Sequence, residues 1–216
     1  MILLRRLLTM LTLALLPLIL LSLLSTAPAF AAGPVGNIAA GQEKSKTCAA
    51  CHGPTGNESL DDTYPKLAGQ YPEYLAKSLH EYRSGARQNA IMAGMAAPLS
   101  DEDIDDLSAY FASQNMSVGA ADPALVARGE ALFRGGKLDQ GMPACTGCHS
   151  PTGSGNDAAG FPQLGGQHGD YVALQLTNFR EGVRTNDGDT KIMRAIAEKL
   201  SNKDIAALSS YIQGLH

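Results

Sequence analysis

Two pentads carry the chain's most specific chemistry: Cys48-Ala-Ala-Cys51-His52 and Cys145-Thr-Gly-Cys148-His149. Each is followed one residue later by Pro-Thr-Gly, and together they use all 4 cysteines of the sequence. Two thiols three positions apart on one helical turn can both add to the vinyl groups of a single haem as thioethers. The His that follows then reaches the iron from one side, so the pattern is a c-type haem attachment signal. Zinc is the first rival, but zinc asks for four ligands, commonly as two separated pairs. Each pentad has no second Cys/His pair near it, and a four-cysteine site would leave both His without a purpose. Thiol–disulfide exchange is the second rival. It needs Cys-x-x-Cys but not His, and the βαβ pattern in which that motif signals redox activity is missing.

An iron held by one His needs a further ligand or an open site, and the choice separates a carrier from an enzyme. Met opposite His raises the potential and blocks access to peroxide or oxygen. Of 7 Met, Met92 and Met193 match between the two halves of the chain, each preceded by Ile and followed seven residues later by Leu-Ser. They are the predicted sixth ligands. Met95 competes in the first half, but its counterpart is Ile196. A lone Met is ordinarily core filling; duplication beside a haem signal favours ligation. Pro65 and Pro162 follow the pentads at a constant interval, and a carbonyl there could fix the ligating His through its other ring nitrogen. Arg83 and Arg180, or Arg87 and Arg184, are candidates to pair with haem propionates or acidic neighbours, with plain solvation the alternative. His80, His168 and His216 lack His counterparts and read as surface or structural residues.

The elements that position these groups are themselves duplicated. Pro65-Lys66-Leu67-Ala68-Gly69-Gln70 matches Pro162-Gln163-Leu164-Gly165-Gly166-Gln167, and Tyr82-Arg83 matches Phe179-Arg180. Gly41-Gln42-Glu43 resembles Gly129-Glu130-Ala131, with extra residues from about Gly135 to Pro143 in the second copy. This is a tandem duplication of one unit rather than a solenoid. The expected units are 32–117 and 118–216, joined by a linker from Ser113 to Pro123. Each reads as three main helices: one over about 39–50, ending at the pentad, a second over about 71–84, and a third opened by Ser100-x-x-Asp103 or Ser201-x-x-Asp204. Those two tetrads are capping-box-like starts. Nothing alternates at period two over a useful length, so no substantial sheet is expected. Three short helices make a thin core that a large apolar cofactor would complete.

Composition bounds the rest. Hydrophobic residues at 44% and charged residues at 18% describe a globular body. Arg5-Arg6, the apolar run from Leu7 to Leu24 and Ala29-Phe30-Ala31 read as a secretory signal peptide over 1–31, cleaved after Ala31, with an uncleaved anchor as the alternative. Without Arg5 and Arg6 the chain carries 15 basic against 21 acidic side chains. No basic stripe offers itself to a nucleic acid. The N-terminal unit holds 6 basic and 11 acidic groups and the C-terminal unit 9 and 10, a dipole that could orient the molecule on a partner.

The strings "CAACHG", "PKLAGQ", "LFRGGKLDQGMPACTGCH", "FREGVRTNDGD" and "SNKDIAALSSYIQGLH" resemble the cytochrome c4 family of dihaem class I cytochromes, and the resemblance spans essentially the whole mature chain. It implies an all-α fold of two cytochrome c domains related by pseudo-twofold symmetry, each about three main helices around a covalent haem. It implies attachment of two haem c groups at Cys48 and Cys51 and at Cys145 and Cys148, ligation by His52 with Met92 and by His149 with Met193, and support of each His by the Pro65 or Pro162 carbonyl. The expected role is a non-enzymatic periplasmic electron carrier between a cytochrome bc complex or other donor and a terminal oxidase, sometimes loosely held at the membrane. A peroxidase-like haem enzyme and a cytochrome subunit dedicated to one larger redox enzyme are the alternatives.

Overall fold

A computed structural model of the chain describes residues 36–216, so the expected signal peptide, its cleavage site and residues 32–35 of the first unit lie outside the described residues. Among the described residues the N-terminal half carries α1 (Ile38–Lys44), α2 (Ala49–His52), α3 (Pro72–Ser84), α4 (Ala90–Ala96) and α5 (Asp101–Ala112). The C-terminal half repeats the order with α6 (Pro123–Gly135), α7 (Thr146–His149), α8 (Gly169–Arg180), α9 (Ile192–Ala197) and α10 (Asn202–Gln213). Pairing between strands is limited, among the described residues, to the isolated bridges Lys137–Met142 and Asn156–Phe161. None of the described helices is long and apolar enough to cross a membrane.

The last helix of each half starts as its sequence dictates. The Ser100 and Ser201 hydroxyls accept from the N–H groups of Asp103 and Asp204, whose carboxylates accept from the serine N–H groups in return. This reciprocal bonding satisfies donors that a helix start otherwise leaves open. The first predicted helix is instead interrupted at 45–48, where the Ser45 hydroxyl donates to the Gln42 carbonyl at 2.8 Å. A serine that bonds its own backbone competes with regular helix. The short helices α4 and α9 add to the three expected in each half; six or seven residues hold barely two turns, too few for periodicity to show. The extra residues of the second copy form a tight excursion closed by the Lys137–Met142 bridge, and it delivers Met142 into the core at 1% exposure.

In each half the first helix crosses the last, α1 over α5 and α6 over α10. The crossing is close enough to require glycine. A Cβ on Gly41 would lie 2.0 Å from the Asp106 carbonyl oxygen, and one on Gly129 would lie 2.4 Å from the Ala207 oxygen and 2.5 Å from Tyr211 Cβ. Alanine in a helix interior normally gains about 1 kcal/mol over glycine. Here the obstructing atoms are backbone and Cβ, which cannot rotate aside, so the helices must separate. Gly129→Ala is therefore expected to destabilise by about 1–3 kcal/mol, read as a lower urea midpoint; a stabilised variant would refute the steric account.

Two apolar clusters fill the halves. Leu75, Leu107, Tyr110 and Phe111 form the first, with Cys48 against it. The second is larger and includes Leu132, Phe133, Leu208 and Tyr211, with Cys145 against it. Between the halves the contacts are reciprocal. Arg87 Nη2 donates to the Tyr171 hydroxyl at 2.9 Å, and Arg184 Nη2 to the Tyr74 hydroxyl at 2.9 Å. Each residue is exchanged for its repeat counterpart in the second bond, as a pseudo-twofold axis requires. These arginines are 5% and 9% exposed, so plain solvation does not describe them. Their guanidinium carbons stand 4.7 Å from the Tyr82 ring centroid and 4.5 Å from that of Phe179, within cation–π range.

Candidate functional site

Each pentad folds as a single helical turn. Cys48 and Cys145 stand at the N-caps of α2 and α7, and the His52 and His149 N–H groups donate to their carbonyls at 2.9 Å. One turn thereby gathers both cysteines and the histidine of each pentad. The imidazoles are buried, each 7% exposed. His52 Nδ1 lies 2.9 Å from the Pro65 carbonyl oxygen, and His149 Nδ1 lies 2.9 Å from that of Pro162. A carbonyl can only accept, so Nδ1 carries the hydrogen and Nε2 keeps its lone pair. Burial pushes both imidazoles below their ordinary range, against a smaller opposing effect of the proline carbonyls. A neutral, oriented His with Nε2 free is the form that binds a metal.

The Pro-Thr-Gly turns explain how those carbonyls are placed. The Gly56 carbonyl accepts from the N–H groups of Leu67 and Ala68 at 2.8 and 3.2 Å. The Gly153 carbonyl does the same for Leu164 and Gly165 at 2.7 and 3.0 Å. The turn after each pentad is thus tied to the segment that carries its proline. Gly153 has φ of +70°, and a Cβ there would meet the Gly165 nitrogen at 2.7 Å, so glycine is needed on both counts. Tyr64 and Phe161 flank the two imidazoles at ring-centroid distances of 6.2 and 6.1 Å.

The cysteines are half-buried, and burial raises the Cys48 thiol and pushes the Cys145 thiol up to about 11. Among the described residues no three His, Cys, Asp or Glu side chains gather as a metal cage. Met92 and Met193 stand on α4 and α9, which pack on α3 and α8, and both are half-buried. Met95 is 36% exposed. The Asn89 side chain accepts from the Met92 N–H at 2.9 Å, capping α4 at that residue. In the second half Asp187 takes the Arg194 N–H at 2.9 Å and Nε at 2.7 Å, fixing the residue beside Met193 by a different device.

The remaining candidates have other partners. Arg83 and Arg180 donate to the Leu99 and Leu200 carbonyls at 2.7 and 3.1 Å, bracing the starts of α5 and α10. His80 Nδ1 lies 3.0 Å from Arg83 Nη2, and His168 Nδ1 lies 3.2 Å from Asp62 in the other half. His216 Nδ1 lies 3.0 Å from the Gly214 carbonyl. The donor set fits haem c in both halves: a cysteine pair and a His with Nε2 free on one turn, set against an apolar cluster. Gln70, Gln167 and Lys66 are also buried where the halves meet, and the identical place of the two glutamines in the repeat is their only signal in the sequence.

The same pairing appears in known proteins. The Cytochrome c family model matches residues 38–115 and again 126–216. Cytochrome c4 of Pseudomonas aeruginosa is 63% identical over 202 residues, 94% of this chain and 98% of that protein. The crystal structure of reduced recombinant cytochrome c4 from Pseudomonas stutzeri is 62% identical, covers 84% of this chain and 100% of its own, and superposes with a TM-score of 0.82. A thiosulfate dehydrogenase electron acceptor of Stutzerimonas stutzeri is 37% identical over 171 residues, 76% of each chain. With two matched domains, two haem-binding pentads and these relatives, the chain belongs to the cytochrome c4 family and is a dihaem electron-transfer cytochrome with two covalently attached haem c groups.

Proposed function

We propose that this cytochrome is a periplasmic carrier, taking single electrons from a respiratory donor such as a cytochrome bc complex and delivering them to a terminal oxidase. In this reading Cys48 and Cys51 hold one haem and Cys145 and Cys148 the other. His52 with Met92, and His149 with Met193, complete the axial sets, and the domains meet at 117/118. The observation that carries it is the matched pair of His Nδ1–proline carbonyl bonds, both 2.9 Å. Each haem c supplies a one-electron Fe(II)/Fe(III) couple when bound. The chain's own part is to hold both buried imidazoles in the ligating tautomer and to offer each a methionine on a short capped helix. Two centres built alike suit relay of electrons, whereas a peroxidase-like enzyme needs one half built for an open site.

The test mixes the holoprotein with membranes containing the bc complex or the oxidase and follows both haem bands by stopped flow. Reduction by the first and reoxidation by the second, at rates that fall with added salt, are expected, the salt dependence reflecting the acidic N-terminal unit. Rapid peroxide turnover with no oxidase reaction would overturn the carrier reading. A narrower reading, an acceptor dedicated to one larger redox enzyme, is favoured by the relative named as a thiosulfate dehydrogenase electron acceptor; exchange with that enzyme alone, and none with bc or oxidase membranes, would establish it.

A further inference from the structure

The prolines that orient the two histidines are gripped from across the domain interface. The Pro65 carbonyl that receives His52 belongs to the same peptide unit as the Lys66 N–H. That N–H donates to Gln167 Oε1 at 2.8 Å, and Gln167 Nε2 donates back to the Lys66 carbonyl at 2.9 Å. The mirror arrangement is complete. The Gln163 N–H, in the peptide unit of the Pro162 carbonyl that receives His149, donates to Gln70 Oε1 at 3.0 Å, and Gln70 Nε2 donates to the Gln163 carbonyl at 2.9 Å. Both glutamines are buried, 5% and 4% exposed, and each also accepts from the N–H of the residue that follows it, at 3.0 Å. Every hydrogen-bonding atom of the two side-chain amides except one hydrogen of each NH₂ is thereby accounted for.

We infer that Gln167 is a positioning residue for His52 and Gln70 for His149, so that each haem's axial histidine is tuned by the opposite domain. This rests on the axial roles proposed above for the two histidines. The physical link is one planar amide on each side. An acceptor on its N–H shifts electron density toward its carbonyl oxygen, and hydrogen bonds in such a chain strengthen one another. A more negative carbonyl pulls harder on the imidazole Nδ1–H and makes Nε2 a stronger donor, which favours ferric iron and lowers the potential. The sequence of atoms is thus Gln167 Oε1, Lys66 N–H, Pro65 C=O, His52 Nδ1–H and on to Nε2. The two bonds of each glutamine also hold Lys66 or Gln163 on both sides of its Cα, and so restrict the rotation of the peptide that carries the proline carbonyl. The two relays differ in one respect: Lys66 is a buried cation whose Nζ donates to the Ser117 and Gly166 carbonyls at 2.6 and 2.9 Å, where the second half has the neutral Gln163.

The test is crossed by design. Gln167→Leu removes the grip on the N-terminal centre while lying in the C-terminal domain. Spectroelectrochemical titration of the holoprotein is expected to show the N-terminal couple shifted upward, by about threefold in its reduction equilibrium constant, with the C-terminal couple unmoved. Gln70→Leu is expected to do the reverse. Met193→Ala displaces the C-terminal couple and so assigns the two. In the reduced wild type and variant, the His52 Nδ1–H proton resonance is expected to move upfield on Gln167→Leu, a change that loss of domain docking alone would not confine to one half. If Gln167→Leu does not fold, Gln167→Asn, whose amide is one methylene short, reads the same shift. Movement of the variant's own half, equal movement of both, or no movement would overturn the relay. His52→Gly separates the two ideas: if it leaves the N-terminal couple intact, the axial assignment has failed, whereas if it abolishes that couple while Gln167→Leu moves nothing, only the relay has failed.

Discussion

Replacing Met193 by alanine is expected to lower the midpoint potential of the C-terminal haem by an amount on the order of a few tenths of a volt, the scale on which axial ligands act. A thioether favours ferrous iron, so its removal favours the ferric form. Met193 is half-buried near the start of α9, whose geometry is held by Asp187 gripping Arg194. That helix does not depend on the Met193 side chain for its cap, so the variant should fold and, on the axial set proposed above, lose one ligand. Met92→Ala is expected to lower the N-terminal potential alone, because Asn89 caps α4 through the Met92 backbone N–H rather than its side chain. Each variant should also gain affinity for cyanide at the altered haem only. Met95→Ala is the control. Its 36% exposed side chain predicts an unchanged potential. Redox titration with cyanide binding checks all three, and a Met193→Ala protein with wild-type potential and spectrum would remove Met193 from the ligand set.

The sequence and the structure divide the site between them in a physically intelligible way. The pentads, the capping boxes and the Met92/Met193 pair are local patterns repeated twice, and repetition lifts a local pattern above chance. The Pro65 and Pro162 carbonyls were legible for the same reason, since their spacing from the histidines is constant and the turn between them is short. Much of what is illegible depends on the partner domain. Gln70 and Gln167 look like ordinary polar residues at the end of a loop, and only the fold shows each reaching the peptide beside the other half's proline. Arg87 and Arg184 read equally well as solvated cations, yet they are buried against tyrosines of the opposite half. Met142 had no counterpart and no motif; the excursion after α6 delivers it to the core. Helix periodicity carries no information about a hydroxyl that bonds the preceding turn, so the break at Ser45 is not legible in it.

Asp204→Ala is expected to destabilise the C-terminal domain by about 3 kcal/mol, the cost of leaving buried charge unmatched. The carboxylate is 1% exposed. One oxygen accepts from Arg128 and the other from Lys137 Nζ at 2.9 Å, from the Ser201 N–H at 2.9 Å and from its hydroxyl at 2.7 Å. Alanine therefore removes half of a capping box and leaves Lys137, whose side chain is only 19% exposed, without a counter-charge and with only the Lys199 carbonyl at 2.9 Å. Arg128, at 52%, can turn to water, which holds the figure near the lower end of the range. The N-terminal half divides the same work. Asp103 makes the capping box and also stands 3.1 Å from Lys44, while Asp106 takes Lys44 at 2.9 Å and the Asn37 N–H at 2.7 Å; Asp103→Ala leaves Lys44 its second carboxylate and should cost less than Asp204→Ala. The pH dependence has a definite sign. Burial would raise the Asp204 carboxyl, but hydrogen bonds from Lys137, Ser201 and Arg128 outweigh it and hold the group well below the ordinary carboxylate range. A depressed folded value means the contribution is complete above about pH 4, where an unfolded aspartate is ionised, and is lost as pH falls toward the folded value. Urea unfolding at pH 7 and at about pH 3 should thus show the gap between wild type and Asp204→Ala narrowing in acid; a gap that stays constant or widens would mean that the carboxylate's charge is not what stabilises the start of α10.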